Sequence, residues 1–113
     1  MDLYEEIQKH MAELTVSIGK LRNNGVNLAE AERDYKMELT KRALLLRDEK
    51  TPVTFINTII YGLQSVADKR FKRDVEQANY DANKEHINVT KLKLRILENQ
   101  LNREWGNAGK GNI

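Results

Sequence analysis

The sequence predicts an all-α fold: a long antiparallel helical hairpin with a first arm of two helices, a short connecting helix and a long return helix, associating into a coiled-coil-like four-helix bundle. Three observations predict it. Charged residues make up 32 % of the 113 and apolar ones 40 %, but aromatic ones only 6 %, a composition suited to long helices and poor in material for a thick core. Apolar residues recur at alternating intervals of three and four. Helix breakers are sparse, with one Pro and six Gly, and neither occurs from Ser65 through Trp105. The length gives room for one domain, expected over 1–105, with a flexible tail over 106–113.

The first helix, about 2–22, rests on Tyr4, Ile7, Met11, Leu14, Ile18 and Leu21, a heptad seam that keeps one face on a partner helix. Asn23-Asn24-Gly25 interrupts it, because Gly suits the residue after a helix end, and Asn27 with Glu30 resembles a capping pair for a new start. The second helix, about 28–48, carries Leu28, Tyr35, Leu39 and Leu46 in the same register, with Glu32 and Arg42 at the two remaining seam positions. That shared register leaves a continuous helix kinked at Gly25 as the close alternative. Glu32–Lys36 and Glu38–Arg42 are i,i+4 pairs in the favourable order. Pro52 ends the second helix, since the residue before a proline avoids the helical region. A short helix over 54–61 follows, capped by Thr54 and closed by Gly62; its β-branched residues also suit an extended segment, which would lack a partner strand. The third helix, about 65–105, opens at Ser65 with Asp68 and would span about 60 Å. The first two helices end to end match that length, so the 51–64 segment is expected to turn the corner of a hairpin.

Several functions lose their footing on composition. There is no Cys, hence no disulfide, no thiolate chemistry and no Cys-based zinc site. The first residues are acidic, unlike a signal peptide, and the longest apolar-leaning stretch, Val53–Leu63, is broken by Thr54, Asn57 and Thr58, well short of a membrane span. The chain reads as cytoplasmic. His10 and His86 lie far apart and belong to no HExxH or Glu-x-x-His pattern, so each reads as an ordinary helix residue, and no catalytic, metal or cofactor site is expected. Gly106-Asn-Ala-Gly-Lys-Gly resembles a phosphate loop only superficially, lacking its spacing, its Ser or Thr and its strand. Asn88-Val89-Thr90 is a sequon in mid-helix of a chain without an export signal. Trp105 reads as an anchor for the end of the long helix.

The third helix has two apolar sides. Phe71, Val75, Ala78, Ala82, Val89, Leu92 and Ile96 form one seam; Tyr80, Ile87, Leu94 and Leu101 recur every seven residues nearly opposite, with Leu97 beside them. One can be buried against the first two helices, and the Tyr80, Ile87, Leu94, Leu97 and Leu101 stripe is expected to face a second copy or another partner. The alternative is a compact three-helix bundle in which the first two helices straddle the third. Lys69, Arg70, Lys72, Arg73, Lys84, Lys91 and Arg95 give the same helix a basic flank, which suits an acidic partner, either a protein helix or a phosphate backbone. The formal charge of only +2, and Glu76 and Glu98 within the stripe, weigh against strong nonspecific nucleic-acid binding.

Four segments, Ala31-Glu-Arg-Asp-Tyr35, Thr51-Pro-Val-Thr54, Arg70-Phe-Lys-Arg-Asp-Val75, and Leu94-Arg-Ile-Leu-Glu98 through Arg103-Glu-Trp105, together resemble a family of small helical proteins carried by phages and prophages of Gram-positive bacteria. The resemblance covers about residues 28–105 and contains no catalytic motif, so it assigns no functional residue. It implies an accessory protein acting in the cytoplasm of an infected or lysogenic cell. The sequence therefore points to a non-enzymatic, self-associating helical interaction module, a dimer being the simplest form, that docks on itself and on a host or phage protein. The alternative is an accessory DNA-binding or recombination protein using the basic flank; an enzyme whose site forms only at an oligomer interface is the remote third.

Overall fold

The computed structural model describes residues 2–111, with side chains described from 2 to 106. The described residues are all-α, without a strand: α1 (Leu3–Asp48), α2 (Val53–Ile59), a 3-10 turn (Ile60–Gly62) and α3 (Gln64–Gly111). Within each of the chain's two compact units a segment of α1 packs against a segment of α3, as a helical hairpin requires. The chain groups into two compact units, the first formed by 1–22 with 82–113 and the second by 23–81.

The first arm is one helix of 46 residues, where two had been expected over 2–22 and 28–48. A helix end at Gly25 needs a left-handed residue there, and no glycine has positive φ. Gly25 costs the helix about 1 kcal/mol relative to Ala. A Cβ at Gly25 would sit 3.7 Å from the Tyr80 ring, an ordinary van der Waals contact, so this helical position packs against α3 without needing a glycine. Asp2 caps the start of α1, its Oδ1 accepting from the Glu5 amide at 2.8 Å.

In the first unit the buried and half-buried positions of α1 include Ile7, His10, Leu14, Ser17 and Leu21; on α3 they are Asn83, Ile87, Thr90, Leu94, Leu97 and Leu101. Both sets step by three and four, so the two segments meet along a heptad seam. Apolar layers alternate with small or polar ones. The polar members satisfy themselves locally: the Asn83 amide donates to the Ser17 carbonyl at 2.9 Å, and the Thr90 hydroxyl to the His86 carbonyl at 2.9 Å. Tyr4, Met11 and Ile18, expected on the seam, face solvent, because the inward edge of α1 is rotated toward His10 and Ser17.

The second unit holds the better-filled core. Tyr35 of α1, Ile56 of α2, Ile60 of the 3-10 turn and Val66 of α3 are buried together, with Leu39, Ala43, Leu46 and Leu63 packed around them. α2 is the expected short helix, starting one residue before the expected 54 and giving way to a 3-10 turn after Ile59 rather than running to 61, and it is capped differently. Its cap is Pro52, whose carbonyl accepts from Phe55 and Ile56, while Thr54 lies inside and accepts from the Thr58 hydroxyl. The β-branched run is helical because that geometry turns Ile56 and Ile60 together onto α1 and α3. Glu32–Lys36 and Glu38–Arg42 form the expected ion pairs, at 3.5 and 2.9 Å.

α3 runs on to Gly111, past the expected end at Trp105; 112–113 of the expected tail lie outside the described residues. Trp105 is 72 % exposed and is not packed as an anchor among the described residues. The Ser17–Asn83 bond sets the register of the first unit, and by that register Leu3 is level with a position near 97. Trp105 therefore lies two turns beyond the start of α1, with no described side chain of α1 opposite.

α1 ends in a Schellman motif built on a residue that suits it badly. Lys50 has φ 63°, its amide donates to the Arg47 carbonyl at 2.9 Å, and Thr51 donates to Leu46 at 3.1 Å. A side chain in this left-handed conformation costs about 1–2 kcal/mol, which glycine avoids while losing part of the gain to chain entropy. Lys50→Gly is therefore expected to raise the unfolding free energy by about 1 kcal/mol in urea titration. A loss of stability would contradict this account of the helix end.

Candidate functional site

α3 covers the stripe that was expected to face a second copy or another partner. Ile87 and Leu94 are 5 % and 8 % exposed, Tyr80, Leu97 and Leu101 are half-buried, and all face α1 within their own units. The five residues expected to form a partner interface are thus the intramolecular seam. The face left open comprises Phe71 and Val75 in the second unit and Val89, Leu92 and Ile96 in the first, with Phe71 at 71 % and Ile96 at 55 % exposure.

Charge explains the inversion. In the first unit the open stripe reads Ala82, Glu85, Val89, Leu92, Ile96, Asn99, Arg103, and burying it would strip water from Glu85 and Arg103. The chosen seam reads Asn83, Ile87, Thr90, Leu94, Leu97, Leu101. Its only polar members are neutral and find partners in the helix backbones. A buried unpaired carboxylate costs several kcal/mol, more than the gain from a Val or Leu at the same level.

The basic flank is divided by its partners. Arg73 leaves the set of candidate contacts: its guanidinium lies 4.7 Å over the Tyr35 ring and hydrogen-bonds Asp74 at 2.9 Å, so it is part of the second unit's packing. Lys69, Arg70, Lys72, Lys84, Lys91 and Arg95 are exposed and form no ion pair among the described residues. Arg70 rests 5.6 Å over the Tyr61 ring, which leaves its charge open to solvent. In the second unit Lys69, Arg70 and Lys72 surround the exposed Phe71. In the first, Lys91 and Arg95 border Leu92.

Apolar exposure on α1 is the part that the spacing of its seam did not reveal. Met37, Leu44 and Leu45 line a shallow open groove in the second unit with Lys36, Thr40, Lys41 and Asp48. The steps from Met37 through Thr40, Leu44 and Leu45 are helical, and that signal was legible as a second face of α1. His10 is half-buried with Nδ1 3.3 Å from Glu13, and exposed His86 edges a shallow groove with Glu13, Ser17 and Lys20. Among the described residues no three His, Asp or Glu side chains converge into a ligand set, and no helix is long and apolar enough to cross a membrane. Comparison with protein families, with characterised proteins and with solved structures finds no match for this chain.

One carboxylate is tuned by the fold. Glu38 of α1 accepts from the Arg42 guanidinium and from the Ser65 hydroxyl in the first turn of α3, and these bonds hold its pKa below the ordinary carboxylate range. A depressed folded-state pKa contributes stability that is present above the unfolded value and is lost as pH falls through the folded one. Glu38→Gln is therefore expected to be less stable than the parent chain at neutral pH, the difference narrowing as pH drops below the carboxylate range. Thermal unfolding of both chains between pH 7 and pH 3 tests this, and a constant difference across the range would contradict it.

Proposed function

We propose that this protein is a non-enzymatic helical interaction module that associates with itself through the open face of α3. The observation that carries the reading is the run of exposed apolar residues on α3 at helical spacing, Phe71 and Val75 in the second unit and Val89, Leu92 and Ile96 in the first. Single exposed apolar residues are ordinary, but a stripe of them in each unit is not. A dimer is the simplest assembly consistent with it, and with a resemblance to phage-borne proteins the setting proposed is the cytoplasm of an infected cell.

A second reading, an accessory nucleic-acid-binding protein, is favoured by one observation: eight cations on α3, the six of the basic flank with Lys93 and Arg103, that have no carboxylate partner among the described residues. It remains secondary because the formal charge is only +2, and Glu76, Glu85 and Glu98 share the helix.

The deciding experiment is sedimentation velocity over a wide concentration range, alone and with duplex DNA at low and raised salt. The first reading predicts a mass above 13.1 kDa that rises with concentration and persists in salt. A 13.1 kDa particle at every concentration would end it. Co-sedimentation with DNA that vanishes steeply with salt would establish the second reading instead.

A further inference from the structure

Within the first unit, α1 and α3 carry open apolar stripes of equal spacing and opposite charge. On α1, Tyr4, Met11 and Ile18 recur every seven residues, all exposed, and the end bearing Tyr4 also bears Asp2, Glu5 and Glu6. On α3, Ala82, Val89 and Ile96 recur every seven residues, all exposed, and the end bearing Ile96 also bears Lys91, Lys93 and Arg95. None of those three cations forms an ion pair among the described residues. The two stripes do not meet in one chain, because α1 already faces α3 with Ile7, Leu14 and Leu21.

We propose that they meet between copies: the Tyr4–Met11–Ile18 face of one protomer's α1 docks on the Ala82–Val89–Ile96 face of another protomer's α3. This rests on the self-association reading and names its surfaces. Charge and spacing together set the direction. Bringing acidic against basic places Tyr4 beside Ile96. From there seven residues forward along α1 is Met11; on α3 seven residues back is Val89, whereas seven forward is Arg103. Apolar meets apolar only in the antiparallel sense, with Met11 on Val89, Ile18 on Ala82 and Glu5 level with Arg95. Leu92 fills the space between Val89 and Ile96. A twofold axis would make the contact twice in a dimer, each protomer giving one face and receiving the other.

Charge reversal tests both the surfaces and their pairing. Glu5→Arg and Arg95→Glu each place like charges at the contact, so each variant alone is expected to self-associate about tenfold more weakly at low salt. An equimolar mixture restores one contact by the swap and keeps the other native, and is expected to associate as tightly as the parent chain. Both residues are exposed, and circular dichroism is expected to report unchanged helicity. Ile96→Asp serves as a second variant and abolishes association if the stripe is the interface. Association of the parent chain that is untouched by all three variants, or a mixture that fails to recover, overturns this docking while leaving self-association in place. A parent chain that is monomeric throughout overturns both.

Discussion

The cost of desolvating charge governs which way α3 faces, and most of the surface follows from that orientation. A helix with apolar residues on two sides can lean on its neighbour with only one of them. In the first unit the losing side has Glu85 in its middle and Arg103 at its end. The winning side offers Asn83 and Thr90, polar but neutral, each with a backbone carbonyl within 2.9 Å. The chosen side covers four large apolar side chains, Ile87, Leu94, Leu97 and Leu101, and leaves Glu85 and Arg103 in water. Val89, Leu92 and Ile96 on the other side remain as an open apolar face.

That face links the fold to the proposed function. The seam between α1 and α3 in the first unit is thin and interrupted by His10, Ser17, Asn83 and Thr90, whereas the second unit gathers Tyr35, Ile56, Ile60 and Val66 into a filled core. Arg73 over Tyr35, and Glu38 held by Arg42 and Ser65, fasten that core to both long helices. A unit with little interior of its own gains proportionally more from a partner, because each Val, Leu or Ile covered contributes about 1.5–3 kcal/mol. The acidic start of α1 and the unpaired cations of α3 supply direction to an attraction that apolar contact alone leaves unspecific.

Much of the architecture was legible in the residues. The helical hairpin follows from heptad spacing, from Pro52 at the corner and from the absence of breakers between Ser65 and Trp105. Gly25 misled because one weak helix former does not end a helix whose apolar register continues on both sides of it: the glycine is helical and lies against the Tyr80 ring. The assignment of the two α3 stripes failed for a different reason. Counting apolar residues favours the Phe71-to-Ile96 series, but the penalty of one carboxylate exceeds the gain of one valine, and residue counts do not weigh the two. Trp105 misled because its level relative to the start of α1 depends on register, which the Ser17–Asn83 bond reveals and spacing along one helix does not. The candidate interaction face was therefore visible as a pattern and wrong in its orientation.

The chain has no cysteine, so thiol labelling of single-cysteine variants reads each side of α3 directly. Leu92→Cys and Leu94→Cys lie two residues apart on the open and buried sides. The account predicts that at high dilution Cys at 92 reacts at the rate of an unfolded peptide while Cys at 94 is strongly protected, and that protection at 92 grows with protein concentration. Equal protection of the two positions at high dilution, or a rate at 92 that never changes with concentration, would contradict the claim that this chain covers one side of α3 itself and leaves the other for a second copy.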